Sequence, residues 1–254
     1  MAGKLEQYEW LSKNPETSFH LPDSSKYSKA ELSRYVKKYH SVFVKRDLSG
    51  QGRGVYRVTE RKQGVYRING YTFSGQLLKE DMSASAFHQL LQPFERLGRE
   101  DKYIIQQAVE SAAGPTTPFV IRSHVQRVNG IWEVPGHIVS IGVENTKENA
   151  IVNNCRGAQV ISVEALFEQY LQEDQRVKVL DQLEDVCKKA CQSLEPHYDS
   201  KEFGLDITLN QQLIPIIIEV NKNAGIASFH TIDASMWKRI MENRRKIKKE
   251  STTE

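Results

Sequence analysis

Residues 203–221 read FGLDITLNQQLIPIIIEVN: one apolar run, Phe203–Leu209, a polar break at Asn210–Gln212, and a second apolar run, Leu213–Val220, ending on Asn221. Two such runs around a short polar turn predict a β-hairpin. Alternate residues of a strand share a face, so Glu219 and Asn221 project the same way, and a tight turn folds Asp206 back alongside them. Each acceptor taken singly is ordinary strand-end polarity. Three on one hairpin point further, because carboxylates clustered near a core are costly unless a cation compensates them. Two carboxylates and an amide oxygen form a hard oxygen set suited to Mg²⁺ held together with phosphates. Asp206, Glu219 and Asn221 are the candidate metal residues.

Working outward, Val42-Phe43-Val44-Lys45 reads as a strand and leads into Ser49-Gly50-Gln51-Gly52-Arg53-Gly54. Glycines at alternate positions let the backbone come close to a ligand and aim N–H groups at phosphate oxygens, with Lys45 adding a point charge. The pattern is neither a P-loop nor a dinucleotide fingerprint, because the glycines lead into a second strand, Val55–Thr59. An isolated glycine triplet is as readily a flexible hairpin loop as a phosphate flap. Arg122, in the apolar strand Phe119-Val120-Ile121-Arg122, and Arg156, in the polar cluster Asn153-Asn154-Cys155-Arg156-Gly157, suit bidentate recognition of phosphate or carboxylate. A salt bridge is the structural alternative for each.

The remaining pattern is mixed. A helix is expected over Lys4–Ser12, and Ser28 with Glu31 reads as a capping box opening a helix through Tyr39. Val65–Ile68 and Tyr71–Phe73 read as strands joined by an Asn69-Gly70 turn, and Ala84–Gln92 as a helix. Tyr103–Val109 reads as a strand. Phe119–Val128 and Ile131–Val143 pair around Asn129-Gly130, 162–194 is mostly helical, and Asp233–Lys249 is a terminal helix. Strands and helices without regular βαβ alternation give an α+β fold in two lobes. The expected division is 1–110, 111–237 and a basic helical tail, 238–254, with the small-residue connector Ser111–Pro118 as the lobe boundary.

The 254 residues are 39% hydrophobic and 26% charged, which excludes a disordered or low-complexity chain. No apolar run approaches the length of a membrane span, and MAGKLEQYEW lacks the apolar segment of a signal peptide. Three cysteines are too few for a disulfide framework and suggest a reducing, cytoplasmic setting. Cys187 and Cys191 lack a second pair to complete a zinc site. The net charge is +3, but beyond residue 237 seven Lys/Arg stand against three Glu, so the body carries −1. That balance argues against a nucleic-acid partner.

In order, Lys45 after a strand, the glycine loop, YIIQQ, F-V-I-R, N-N-C-R-G, G-L-D and I-E-V-N resemble the ATP-grasp fold, most closely its YheC/YheD branch, a bacillar group described as spore-coat-associated. The resemblance runs from about Lys4 to Gly225 and includes LPDSSKYSKAELSRYVKKYHSVFVKRDLSGQGRGVYRV. It departs from the family pattern at Arg46, Val120 and Asn221–Gly225, and leaves no room for a separate N-terminal domain. It implies an ATP- and Mg²⁺-dependent ligase joining a carboxylate to an amine or thiol through an acyl phosphate, with two Mg²⁺ ions. The alternative it implies is an ATP-binding structural or regulatory protein of the spore-coat type. On the resemblance Lys45 contacts the α/β-phosphates, and Gly50, Gly52 and Gly54 cover the triphosphate. Gln106, Gln107, Ala108 and Val109 hold adenine by backbone groups, and Asp206, Glu219 and Asn221 bind magnesium. Arg122 and Arg156, with Asn153 and Asn154, face the γ-phosphate and the acyl intermediate. Lys4 matches the first nucleotide-contacting lysine. The acid, the amine and the oligomeric state, a homo-oligomer included, are left open.

Overall fold

The computed structural model describes residues 2–250 apart from 115, 116, 144, 145, 147 and 223, and of Cys155 only the backbone. Two antiparallel sheets divide it. The first has six strands in the order β1-β6-β2-β3-β4-β5: β1 (Ser24–Lys26), β2 (Ser41–Arg46), β3 (Val55–Lys62), β4 (Val65–Tyr71), β5 (Leu77–Ser83) and β6 (Tyr103–Gln107). Helices α3 (Lys29–Tyr39) and α4 (Ala84–Leu91) cover one face. Period-2 alternation sends Val42, Val44, Tyr56, Val58 and Ile105 into that core with Leu32, Tyr35 and Phe87. Phe43 and Lys45 consequently point to the opposite face.

The second sheet runs β11-β10-β7-β8-β9: β7 (Phe119–Val128), β8 (Ile131–Ile141), β9 (Gln159–Ser162), β10 (Glu202–Leu209) and β11 (Pro215–Asn221). Phe203, Leu205, Ile207 and Leu209, alternate residues of β10, pack with Val179, Leu183, Val186 and Leu194 of α6 (Glu173–Leu194). Gly204, Asp206 and Thr208 therefore take the other face. Helices α1 (Lys4–Ser12) and α2 (Pro15–Ser18) come first in the chain yet pack on α6, with Leu11 in the second core. Helix α5 (Val163–Tyr170) follows β9, and α7 (Ala227–Ile232) precedes α8 (Ala234–Glu250).

The terminal helix α8 packs on the sheet rather than extending from it. Met236 and Ile240 are buried with Ile138 and Phe229. Arg244 forks onto Glu202 at 2.8 and 2.5 Å, Gln126 donates to the same carboxylate, and these donors hold Glu202 well below the usual carboxylate range against its burial.

The expected elements are mostly present, with two corrections and one refinement. Asn69 and Gly70 do not form a turn: β4 is continuous through them, Gly70 pairs with Tyr56 and Leu78, and the hairpin bend lies at Gly64. A side chain at Gly70 would run into Val55 O at 2.1 Å, so that glycine serves close strand approach. Residues 162–194 form two helices broken at Leu171–Gln172. Ser28 Oγ caps the Glu31 N–H, but the Glu31 carboxylate turns to Arg34 and Ser25, so the box closes only by half. The connector Ser111–Pro118 has its centre, Pro115-Thr116, outside the described residues. Among those described, no helix is long and apolar enough to cross a membrane.

Candidate active site

Three neighbouring strands of the second sheet set the carboxylates. Register places Arg122 of β7 and Glu219 of β11 on either side of Asp206 of β10, with Asn221 opposite Gly204. A bulge at this point, where Asp206 opposes Glu219 but Ile207 opposes Ile217, turns Glu219 into the row. The Arg122 guanidinium forks onto Asp206, Nε to Oδ1 at 2.5 Å and Nη2 to Oδ2 at 2.8 Å, and Asn221 Nδ2 donates to Asp206 Oδ2 at 3.2 Å. The Asp206 charge raises the Arg122 pKa further above its ordinary value. Gly204 makes the space: a Cβ there would meet Ala224 at 2.3 Å and Arg122 Cδ at 3.3 Å.

Lys45 of the first sheet and Lys4 of α1 bring cations to these carboxylates. Lys45 Nζ donates to Gln106 Oε1 at 2.5 Å. Burial pulls its pKa down to about 8, Glu219 and Asp206 oppose the fall, and Lys4 adds to it. These four charges thus act on one another where the two lobes meet. Lys4, on the first turn of α1, donates to Ser49 O at 2.7 Å and Asp47 O at 3.2 Å and stands 3.5 Å from Glu219 Oε1. One ammonium therefore ties the start of the glycine loop to the carboxylate row. Asp47 reinforces this by accepting from Leu5 N at the start of α1, where a helix N-terminus favours an anion.

In the glycine loop Gln51, Gly52 and Gly54 adopt positive φ of 58°, 66° and 62°. Gly50 has open space around it, whereas a Cβ on Gly52 would sit 3.5–3.8 Å from Ile151, Asn153 and Arg156. The loop thus reaches across to the 151–156 segment. Arg156 answers from the other side: Nη1 donates to Gly75 O at 3.1 Å and the guanidinium lies 4.2 Å over the Tyr71 ring. Its Nε is buried without a hydrogen bond among the described residues. Asn154 accepts from Ser140 Oγ at 2.6 Å and lies 3.4 Å from Ser228 Oγ. At the hinge, Gln107 N donates to Asp23 O and Ala108 N to Ser41 O, with Val109 half-buried beyond.

Sequence patterns did not single out the Gln106 side chain, Ser24 or Glu148. Glu148 receives Lys79 at 2.5 Å and Asn69 at 3.4 Å, and its carbonyl receives Arg57, so it latches the lobes together. Its signal, a lone acid in a loop, is too weak to read. Asp23, in the LPDSS segment, fastens α3 by accepting from Tyr35, Tyr39 and Lys38. A groove of about 530 Å³ also opens beside Lys222, lined by Ala2, Glu6, Trp10, His197, Tyr198 and Asp199. Cys187 and Cys191 are buried under the second sheet, and burial pushes the Cys187 thiol up to about 12.

The described residues contain no group of three His, Cys, Asp or Glu able to hold a metal alone. In donor chemistry the oxygen set Asp206, Glu219 and Asn221 fits a hard cation such as Mg²⁺ that takes further oxygen ligands from elsewhere.

The model of the YheC/D like ATP-grasp family matches residues 1–246. The chain belongs to the YheC/D-like ATP-grasp family. Among solved structures, this ATP-grasp chain is similar to D-alanyl-alanine synthetase A from Vibrio cholerae O1 biovar eltor, at 17% identity and a TM-score of 0.53. The match covers 94% of this chain and 59% of the synthetase, and shows the shared fold. It also matches the ATP-grasp ligase PsnB in complex with a phosphomimetic variant of minimal precursor, Mg and ADP, at 13% identity and a TM-score of 0.48, covering 92% of this chain and 55% of that one. The chain thus spans well under two thirds of these proteins. No curated protein matches it.

Proposed function

We propose that this chain binds ATP with Mg²⁺ in the cleft between its two sheets and acts as a ligase, joining a carboxylate to an amine or thiol. The observation that carries the reading is the convergence of Lys45, Lys4, Asp206 and Glu219 on that cleft, with Lys4 bridging the glycine loop and Glu219. Membership of the ATP-grasp family supports the same chemistry.

In this reading Lys45 and Lys4 neutralise phosphate charge, and Gly50, Gly52 and Gly54 lay backbone over it. Asp206, Glu219 and Asn221 hold Mg²⁺, two ions on the family pattern, and bound metal supplies charge neutralisation at the phosphates. The acid's carboxylate oxygen attacks the γ-phosphorus and ADP leaves with the bond's electron pair. The amine or thiol then attacks the acyl carbon, and phosphate leaves with the bond's electron pair and takes up the proton that the nucleophile gives up. Arg122, Arg156 and Asn154 are proposed to steady the transferring phosphoryl group, and Gln106 to Val109 to border adenine. The chemistry needs positioning and charge more than a protein nucleophile. The groove beside Lys222, next in the chain to Asn221, offers space for a substrate.

Purified protein with MgATP and a panel of acids and amines is expected to release ADP and phosphate, with Lys45→Ala and Glu219→Ala each lowering release at least about a hundredfold. Wild-type nucleotide affinity in both variants would overturn the site. Tight MgATP binding without ADP formation across the panel would favour the structural or regulatory role.

A further inference from the structure

Lys45 is a buried cation, 7% exposed, whose hydrogen-bond partner among the described residues is an uncharged amide, while Glu219 and Asp206 act on its charge without bonding to it. A buried ammonium ordinarily takes a carboxylate, since its charge is otherwise poorly compensated. Here the ammonium donates to Gln106 Oε1, and Gln106 is itself 5% exposed. Gln106 Nε2 donates to Ser24 Oγ at 3.2 Å, and Ser24 Oγ donates to Pro22 O at 2.9 Å.

The direction of this chain of bonds is fixed by its end. The Pro22 carbonyl can only accept, so the Ser24 hydroxyl proton is committed to it and Ser24 can only accept from Gln106. The amide must then turn its NH₂ to Ser24 and its oxygen to Lys45. Strand register builds the same arrangement, because Gln106 of β6 lies directly opposite Ser24 of β1 on one side and Phe43 of β2 on the other. Lys45, two residues beyond Phe43, reaches Gln106 on the diagonal.

We propose that Gln106 is a positioning residue that, oriented by Ser24, holds the Lys45 ammonium at the cleft without neutralising it, leaving its charge for a phosphate. A glutamate at this position would hold the ammonium equally well but cancel its charge. An apolar residue would leave the charge and lose the position. The amide is the choice that keeps both. The phosphate part of this inference rests on the proposed nucleotide site; the positioning part does not.

The test has two arms. In ligand-free protein, ¹⁵N-edited NMR should detect slowly exchanging Lys45 ammonium protons, lost in Gln106→Leu, weakened in the milder Ser24→Ala and retained in Gln106→Glu. In calorimetry, Gln106→Leu and Gln106→Glu should each weaken MgATP binding about tenfold, the effect of losing one hydrogen bond to a charged group. In a Lys45→Met background, Gln106→Leu should cause no further loss, which a merely structural role would not produce. Ammonium signals unchanged in both Gln106→Leu and Ser24→Ala overturn the positioning role. Losses that add in the double variant overturn action through Lys45. If the wild type binds no MgATP, the nucleotide reading fails, and the NMR arm still decides whether Gln106 holds Lys45.

Discussion

The two sheets supply charge to one cleft in opposite ways. The second sheet delivers its carboxylates already paired: Asp206 with Arg122 and Asn221, and Glu219 beside Lys4. The first delivers Lys45, which among the described residues is hydrogen-bonded to an amide and has the Phe43 ring 5.4 Å from its Nζ, with Glu219 and Asp206 acting on its charge without a bond to it. A paired charge folds cheaply and must exchange partners to bind a ligand. A buried charge held by a neutral group weakens the fold and is ready for an anion. Stability and readiness are thus divided between the lobes.

The strongest way to break this contrast is Asp206→Leu. It strands Arg122, whose side chain is 28% exposed, and should cost about 2–3 kcal/mol of stability by urea unfolding, with MgATP binding lost. Adding Arg122→Met should restore most of the stability and none of the binding. Recovery of binding in the double variant would remove Asp206 from the metal set.

A pH series sharpens the other half. With its pKa lowered to about 8 from an ordinary 10.5, Lys45 sheds its proton earlier in the folded than in the unfolded chain. Between those values the unfolded state holds more protons, so stability from this group rises with pH, its penalty being complete below pH 8. Relative to Lys45→Met, the wild type should gain about 2–3 kcal/mol between pH 7.5 and 10.5. Parallel stability curves for the two proteins would contradict a Lys45 cation destabilised by burial.

Smaller effects test the contacts between lobes. Arg156→Ala removes the bond to Gly75 O and the Tyr71 contact, and should cost about 1 kcal/mol and weaken MgATP binding several-fold. Lys222→Ala should leave MgATP affinity unchanged and raise the KM of an active acid or amine a few-fold; a changed nucleotide affinity would move Lys222 out of the substrate groove and into the nucleotide site.

The sequence was most legible where spacing is local. The hairpin of Asp206, Glu219 and Asn221 follows from period 2 and one turn, and the Ser28 cap from its neighbours. Asn69-Gly70 misled for a physical reason: the same dipeptide that favours a turn also permits close strand contact, and only the neighbouring strands decide which. Arg122 and Asp206 were each legible as candidates, but their pairing was not, since 84 residues separate them and sheet register joins them. The tail's basic residues gave no hint that Arg244 anchors α8 to Glu202.

By itself the sequence determined the strands, the glycine loop and which polar residues interrupt apolar runs, because those depend on periodicity and local turn chemistry. Tertiary structure alone decided which charges meet: α1 joins the second core, Lys4 reaches both the loop and Glu219, and Gln106 rather than a carboxylate faces Lys45. Partner choice depends on strand order and register, which arise from distant segments and leave no spacing in the chain to read.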